Sequence, residues 1–135
     1  MEERTIFIYI ISKDQVFANL MSVMFKQFSS NAKIKVFRSL FELKDFEIIT
    51  EPDLIVLDDL VDGAASLEVL SYLRETAQLK CSIYYFGENV YDVKIKVISN
   101  GANYFYTKPF HPRIVTYEMA NNWNSIKQNE FNPNL

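Results

Sequence analysis

Six consecutive apolar residues, Ile6 to Ile11, form a β-branched and aromatic run with no alternation. That is the pattern of a strand covered by helices on both faces, so it predicts a central parallel strand. Ser12 and Gln15 then have capping-box spacing, and Phe17, Leu20, Met21, Met24 and Phe28 recur at helical intervals. From Lys33 to Phe37 lysine alternates with apolar residues, the composition of a protected edge strand. Ser39 and Glu42 repeat the capping-box spacing ahead of a helix over Leu40 to Ile49, and Pro52 lies beyond its end. Leu54 to Leu57 is a second fully apolar strand. Leu67, Leu70 and Leu73 mark a third helix, Ile83 to Phe86 a fourth strand, and Val90, Val93 and Val97 the core side of a fourth helix. Tyr104 to Tyr106 is the last strand. Pro112 opens a final helix carrying Val115, Met119, Trp123 and Ile126. Strands and helices alternating five times predict an α/β doubly wound parallel sheet with right-handed crossovers.

The chain has 135 residues, 49% hydrophobic and 23% charged, which allows one folded domain. We place that domain at residues 1–128 and expect Asn129 to Leu135 to be a polar tail. Fourteen Lys and Arg against seventeen Asp and Glu give a net charge of -3. No basic cluster occurs, so no nucleic-acid surface is expected. The longest apolar run is far short of the roughly 20 residues that span a bilayer, so no membrane segment is expected. Cys81 is the single cysteine, without a disulfide or zinc partner, which fits a reducing, cytoplasmic setting.

In doubly wound sheets, chemistry gathers at the carboxyl ends of the central strands. Those ends are Ser12-Lys13-Asp14, Asp58-Asp59, Phe86-Gly87 and Lys108-Pro109. Two of them carry a motif. Pro52-Asp53-Leu54-Ile55-Val56-Leu57-Asp58 resembles the third strand of bacterial response-regulator receiver domains, which ends in a phosphoacceptor aspartate. Gly101 to Phe110 resembles their fifth strand with its Lys-Pro pair, and Asp58 and Lys108 lie 50 positions apart, as the family pattern requires. The resemblance covers residues 5 to 128. It implies a flavodoxin-like (βα)5 sheet of order 2-1-3-4-5, Asp58 at the phosphoacceptor position, Lys108 beside it, and switch positions at Phe86 and Phe105.

The departures concern chemistry. Family members place two adjacent carboxylates after the first strand; Ser12 and Lys13 stand there. The switching hydroxyl after the fourth strand is matched by Phe86, with Gly87 following. The carboxylate pair normally helps hold a divalent cation, usually Mg²⁺, which offsets the charge of a transferred phosphoryl group. Without it no metal is expected, with Asp58 the ligand if there is one. Asp58 and Lys108 together are already neutral, and Lys13, if turned inward, would repel a cation. Paired with Lys108, Asp58 is expected to titrate below a free aspartate. Ser12 reads first as a helix N-cap. Alternation turns Asp59 away from Asp58, Asp14 and Asp62 approach only if a loop shifts, and His111 reads as a solvated loop residue.

Three functions stay open. One is an atypical receiver acting by protein–protein interaction in two-component phosphorelay signalling. Another is a conventional receiver phosphorylated on Asp58 by a histidine kinase, with Mg²⁺ as cofactor in that reading alone. The third is a flavodoxin-like small enzyme or nucleotide binder, disfavoured because Ile11 to Gln15 offers no glycine loop for phosphate. In the first two readings the partners are a histidine kinase or a downstream signalling protein. Tyr91, Ile95 and Phe105 are the expected interaction face, and a homodimer through the fourth-helix to fifth-helix surface is possible by resemblance.

Overall fold

The computed structural model describes residues 5–131 and, within them, side chains through residue 124. Strands and helices alternate as β1 (Ile6–Ile11), α1 (Gln15–Phe28), β2 (Ala32–Phe37), α2 (Leu40–Asp45), β3 (Leu54–Asp58), α3 (Ser66–Ser71), β4 (Ser82–Gly87), α4 (Tyr91–Ser99), β5 (Tyr104–Thr107) and α5 (Pro112–Phe131). The sheet is parallel throughout, in the expected order β2-β1-β3-β4-β5. β1 and β3 read as unbroken apolar runs because both their faces are covered. Ile8, Ile10, Leu54 and Val56 pack with Phe17, Met21 and Phe25 of α1 and Val115 and Met119 of α5. Tyr9, Ile11, Ile55 and Leu57 pack with Leu43, Val69, Leu70, Leu73 and Val97 on the opposite face.

Where the structure departs from the expected elements, a local interaction explains most of the change. The N-cap of α1 is Asp14, whose Oδ1 accepts from the N–H groups of Val16 and Phe17 at 3.0 and 3.3 Å. Ser12, expected as the cap, lies two residues too early. The buried stripe is Phe17, Ala18, Met21 and Phe25, and Leu20 and Phe28 are exposed. α2 stops at Asp45 instead of reaching Ile49, because Phe46 leaves the helix to pack edge-on against Tyr9 and Phe37, at 6.2 and 5.3 Å between ring centroids. Ile49 is left 87% exposed.

α3 buries Val69 and Leu70, leaves Leu67 exposed, and continues as one π-helical turn, Tyr72–Thr76. That turn carries Arg74 against the β4–β5 side. Its guanidinium donates to the carbonyls of Gly101, Leu79 and Cys81 and to Asn103 Oδ1. In α4 only Val97 is buried; Val90 is the N-cap and Val93 is exposed, so the expected core stripe there reduces to one residue. α5 begins at Pro112 and runs to Phe131, into the segment expected as a tail. An established helix gains one hydrogen bond per added residue, and Gln128 to Glu130 carry no breaker. Residues 132–135 of that expected tail lie outside the described residues.

Candidate functional site

The carboxyl ends of β1, β3, β4 and β5 meet around Asp58. β3 sits between β1 and β4 and delivers the Asp58 carboxylate at 0% exposure. A buried carboxylate must find donors or lose its charge. Asp58 finds three. Ser12 Oγ donates to its Oδ2 at 2.6 Å, the Asp59 N–H donates to its Oδ1 at 3.0 Å, and the Lys108 ammonium forms an ion pair with Oδ1. Ser12 is itself 1% exposed and accepts from the Asp14 N–H at 3.0 Å, so its hydroxyl is used in both senses. It is part of the site, contrary to its expected role as a cap.

Lys108 reaches the site from the end of β5, where its N–H donates to Gly87 O at 2.8 Å and its peptide bond to Pro109 is cis. Its Nζ lies 5.4 Å from the centre of the Phe17 ring and 2.6 Å from Asp59 Oδ1. Asp59 therefore turns toward the lysine. The strand ends at Asp58, and beyond that residue alternation no longer dictates direction; the Asp59 N–H is instead fixed by Phe86 O at 2.9 Å. One ammonium between two carboxylates leaves the trio one negative charge, where the sequence suggested a neutral pair.

Burial pushes the Asp58 carboxyl above its ordinary value despite the opposing pull of Lys108 and Ser12, so the expected depression is overturned. Desolvation outweighs pairing because no water reaches the carboxylate. Burial also pulls on Lys108 in the downward sense, but the hydrogen bonds and charges of Asp58 and Asp59 prevail and hold its ammonium above the usual lysine range.

Phe86 is the register partner of Asp58 on β4, so an aromatic ring stands on the face where the family's hydroxyl would be. It packs at 0% exposure against Phe17, Tyr106 and Phe110, with centroids 5.4, 5.2 and 4.8 Å away. A hydroxyl that the sequence reading passed over lies one residue earlier. Tyr85 is buried, and its hydroxyl and that of Ser66 lie 2.9 Å apart. Its ring lies so close under Gly87 that a Cβ there would stand 2.7 Å from Tyr85 Cε1. The signal available was that small residue after an aromatic pair. Phe105 is half-buried, 5.4 Å from the Tyr85 ring with Lys94 Nζ 6.0 Å from its own ring, and so is not the exposed residue expected. Tyr91 and Ile95 are exposed.

The donors present do not fit Mg²⁺. Lys13 is exposed, with its N–H bonded to Leu60 O. Asp14 serves as a helix cap, Asp62 is exposed and bonded through its N–H to Arg38 O, and His111 is exposed with Nδ1 near the Ile114 N–H. That leaves Asp58 and Asp59, both facing the Lys108 ammonium. Among the described residues no group of three His, Cys, Asp or Glu side chains is placed to hold a metal ion, and an octahedral cation that dehydrates reluctantly needs oxygens not already engaged.

No protein-family model and no curated protein sequence matches the chain. Solved structures do match. The signal receiver domain of a DNA-binding response regulator from Colwellia psychrerythraea is 21% identical with a TM-score of 0.76, over 86% of this chain and 96% of that one. The receiver domain of a Francisella response regulator is 16% identical at 0.76, over 89% and 98%. A chemotaxis response regulator of Vibrio cholerae is 15% identical at 0.75, over 89% and 99%. At these identities the likeness is one of architecture: the chain has the flavodoxin-like fold of response-regulator receiver domains.

Proposed function

We propose that the chain is an atypical receiver module of two-component signalling that acts by binding protein partners, with Asp58 held by Lys108 and Ser12 instead of serving Mg²⁺-dependent phosphoryl transfer. The observation that carries this reading is the engagement of the Asp58 carboxylate by Ser12, a serine where the fold's relatives by resemblance carry an acid, with Lys108, which the family shares by resemblance, as its facing charge. The receiver fold supports a histidine kinase or a downstream signalling protein as partner. The exposed Tyr91 and Ile95 on α4 support the α4–α5 side as a contact or homodimer surface. No helix among the described residues is long and apolar enough to cross a membrane, which is compatible with a place in the cytoplasm.

The test is incubation with acetyl phosphate or phosphoramidate, with and without Mg²⁺, followed by intact-mass analysis. The expected result is an unmodified protein in both arms. A Mg²⁺-dependent phosphoryl adduct that disappears in Asp58→Asn would overturn the proposal in favour of a conventional phosphoacceptor.

A further inference from the structure

The end of the sheet formed by β2 carries a pattern that the aspartate pocket does not use. β2 is an edge strand. The N–H of Ile6 donates to Asn31 O and that of Ser12 to Phe37 O, so the odd-numbered residues of β2 turn their peptide groups toward β1. Ile34 and Val36 consequently turn theirs to the open edge. By register, Lys33 and Lys35 stand beside Phe7 and Tyr9 on the face toward α2, and Ile34 and Val36 stand beside Ile8 and Ile10 on the face toward α1. Both lysines are exposed, and the two aliphatic residues are half-buried.

The neighbouring acids do not satisfy those lysines. Glu42, Asp45 and Glu47 rim the same face, but among the described residues neither lysine forms an ion pair with a carboxylate. Glu42 accepts from the Arg38 N–H at 2.8 Å, and Lys35 Nζ lies 5.4 Å from the Phe46 ring. The early end of α2 leaves this face thinly covered: Phe7, Phe46 and Ile49 are exposed around a groove of about 290 Å³ floored by β1 and β2.

Edge lysines deter promiscuous pairing, and against a second β2 they would set lysine opposite lysine. The strand chemistry they attract is the complementary one. We infer that β2 is a docking edge for an extended acidic partner segment, one that alternates Asp or Glu with apolar residues and adds as a sixth strand. Its carboxylates would stand opposite Lys33 and Lys35, its apolar side chains beside Ile34 and Val36, and its peptide groups on those of Ile34 and Val36. The inference is independent of the aspartate pocket.

A short fluorescent peptide of alternating Glu and Val, titrated at neutral pH and read by anisotropy, tests it. The expected result is saturable binding, with amide shifts at Ile34 and Val36. Binding should fall about tenfold or more in the Lys33→Glu/Lys35→Glu double variant, because two attractive cross-strand pairs become repulsive. That variant should instead bind a Lys and Val alternating peptide. Both lysines are exposed, so the variant should fold, and the unmodified protein gives a second readout: a peptide N-methylated on the edge that pairs with β2 should not bind. No binding of the alternating peptide, equal binding of a block-sequence peptide of the same composition, or equal binding of the N-methylated form would each overturn the inference.

Discussion

Lys108→Met keeps a long apolar side chain near the Phe17 ring and removes the one cation that, among the described residues, faces Asp58 and Asp59. Asp58 is 0% exposed, and the Lys108 side chain is 24% exposed. Removing one partner of a buried pair costs about 3 to 5 kcal/mol. Water can reach the lysine end, so the lower figure applies. At about 2.1 cal/mol/K of unfolding entropy per residue, over 135 residues, 3 kcal/mol is a fall of about 10 °C in Tm. The loss must also depend on pH. Burial raises the Asp58 carboxyl above 3.8, and Lys108 is a principal force opposing that rise, so the variant raises it further. A group whose folded pKa is raised gives its full stability below its unfolded pKa and loses it as pH rises through the folded one. The deficit of Lys108→Met relative to the parent should therefore be small in acid, grow as pH rises through the Asp58 titration, and shrink again only where Lys108 itself loses its proton. Differential scanning calorimetry across that range checks both magnitude and sign. A Tm within about 2 °C of the parent at every pH, or a deficit largest in acid, would refute the reasoning.

Gly87→Ala should destabilise by about 1 to 3 kcal/mol in urea denaturation, because its Cβ meets the buried Tyr85 ring at 2.7 Å and displaces the hydroxyl from Ser66. Arg74→Lys should cost about 2 kcal/mol by the same measurement, since a single ammonium cannot reach Gly101, Leu79, Cys81 and Asn103 together. Phe86→Thr, which supplies the family's hydroxyl type, should cost about 3 kcal/mol by opening a cavity among Phe17, Tyr106 and Phe110. It should leave the protein as unreactive toward acetyl phosphate as the parent; phosphorylation gained on this change alone would contradict the reading of the pocket.

Strand identity and order were legible because burial on two faces writes itself as unbroken apolar runs in β1 and β3, and because the lysines of β2 mark an edge. The placement of Asp58 beside Lys108 was legible through the resemblance to receiver domains, whose third and fifth strands end in the same residue types. Other features depended on contacts distant in sequence. Ser12 and Asp14 are both good N-caps by composition, and only the approach of β3 to β1 decides that Ser12 turns to Asp58 while Asp14 closes α1. The early stop of α2 depends on Phe46 finding Tyr9 and Phe37. Asp59 escaped because strand alternation was carried one residue past the strand's end. The direction of the Asp58 pKa was missed because a sequence shows the partner but not the depth of burial.

The most direct test of the claim that Lys108 and Ser12, not a metal, hold Asp58 is a Mg²⁺ titration followed through the backbone amide of Asp59, whose N–H rests on Asp58 Oδ1. The account predicts a resonance that stays in place through millimolar Mg²⁺ in the parent. A saturable shift of that resonance, abolished by Asp58→Asn, would contradict it.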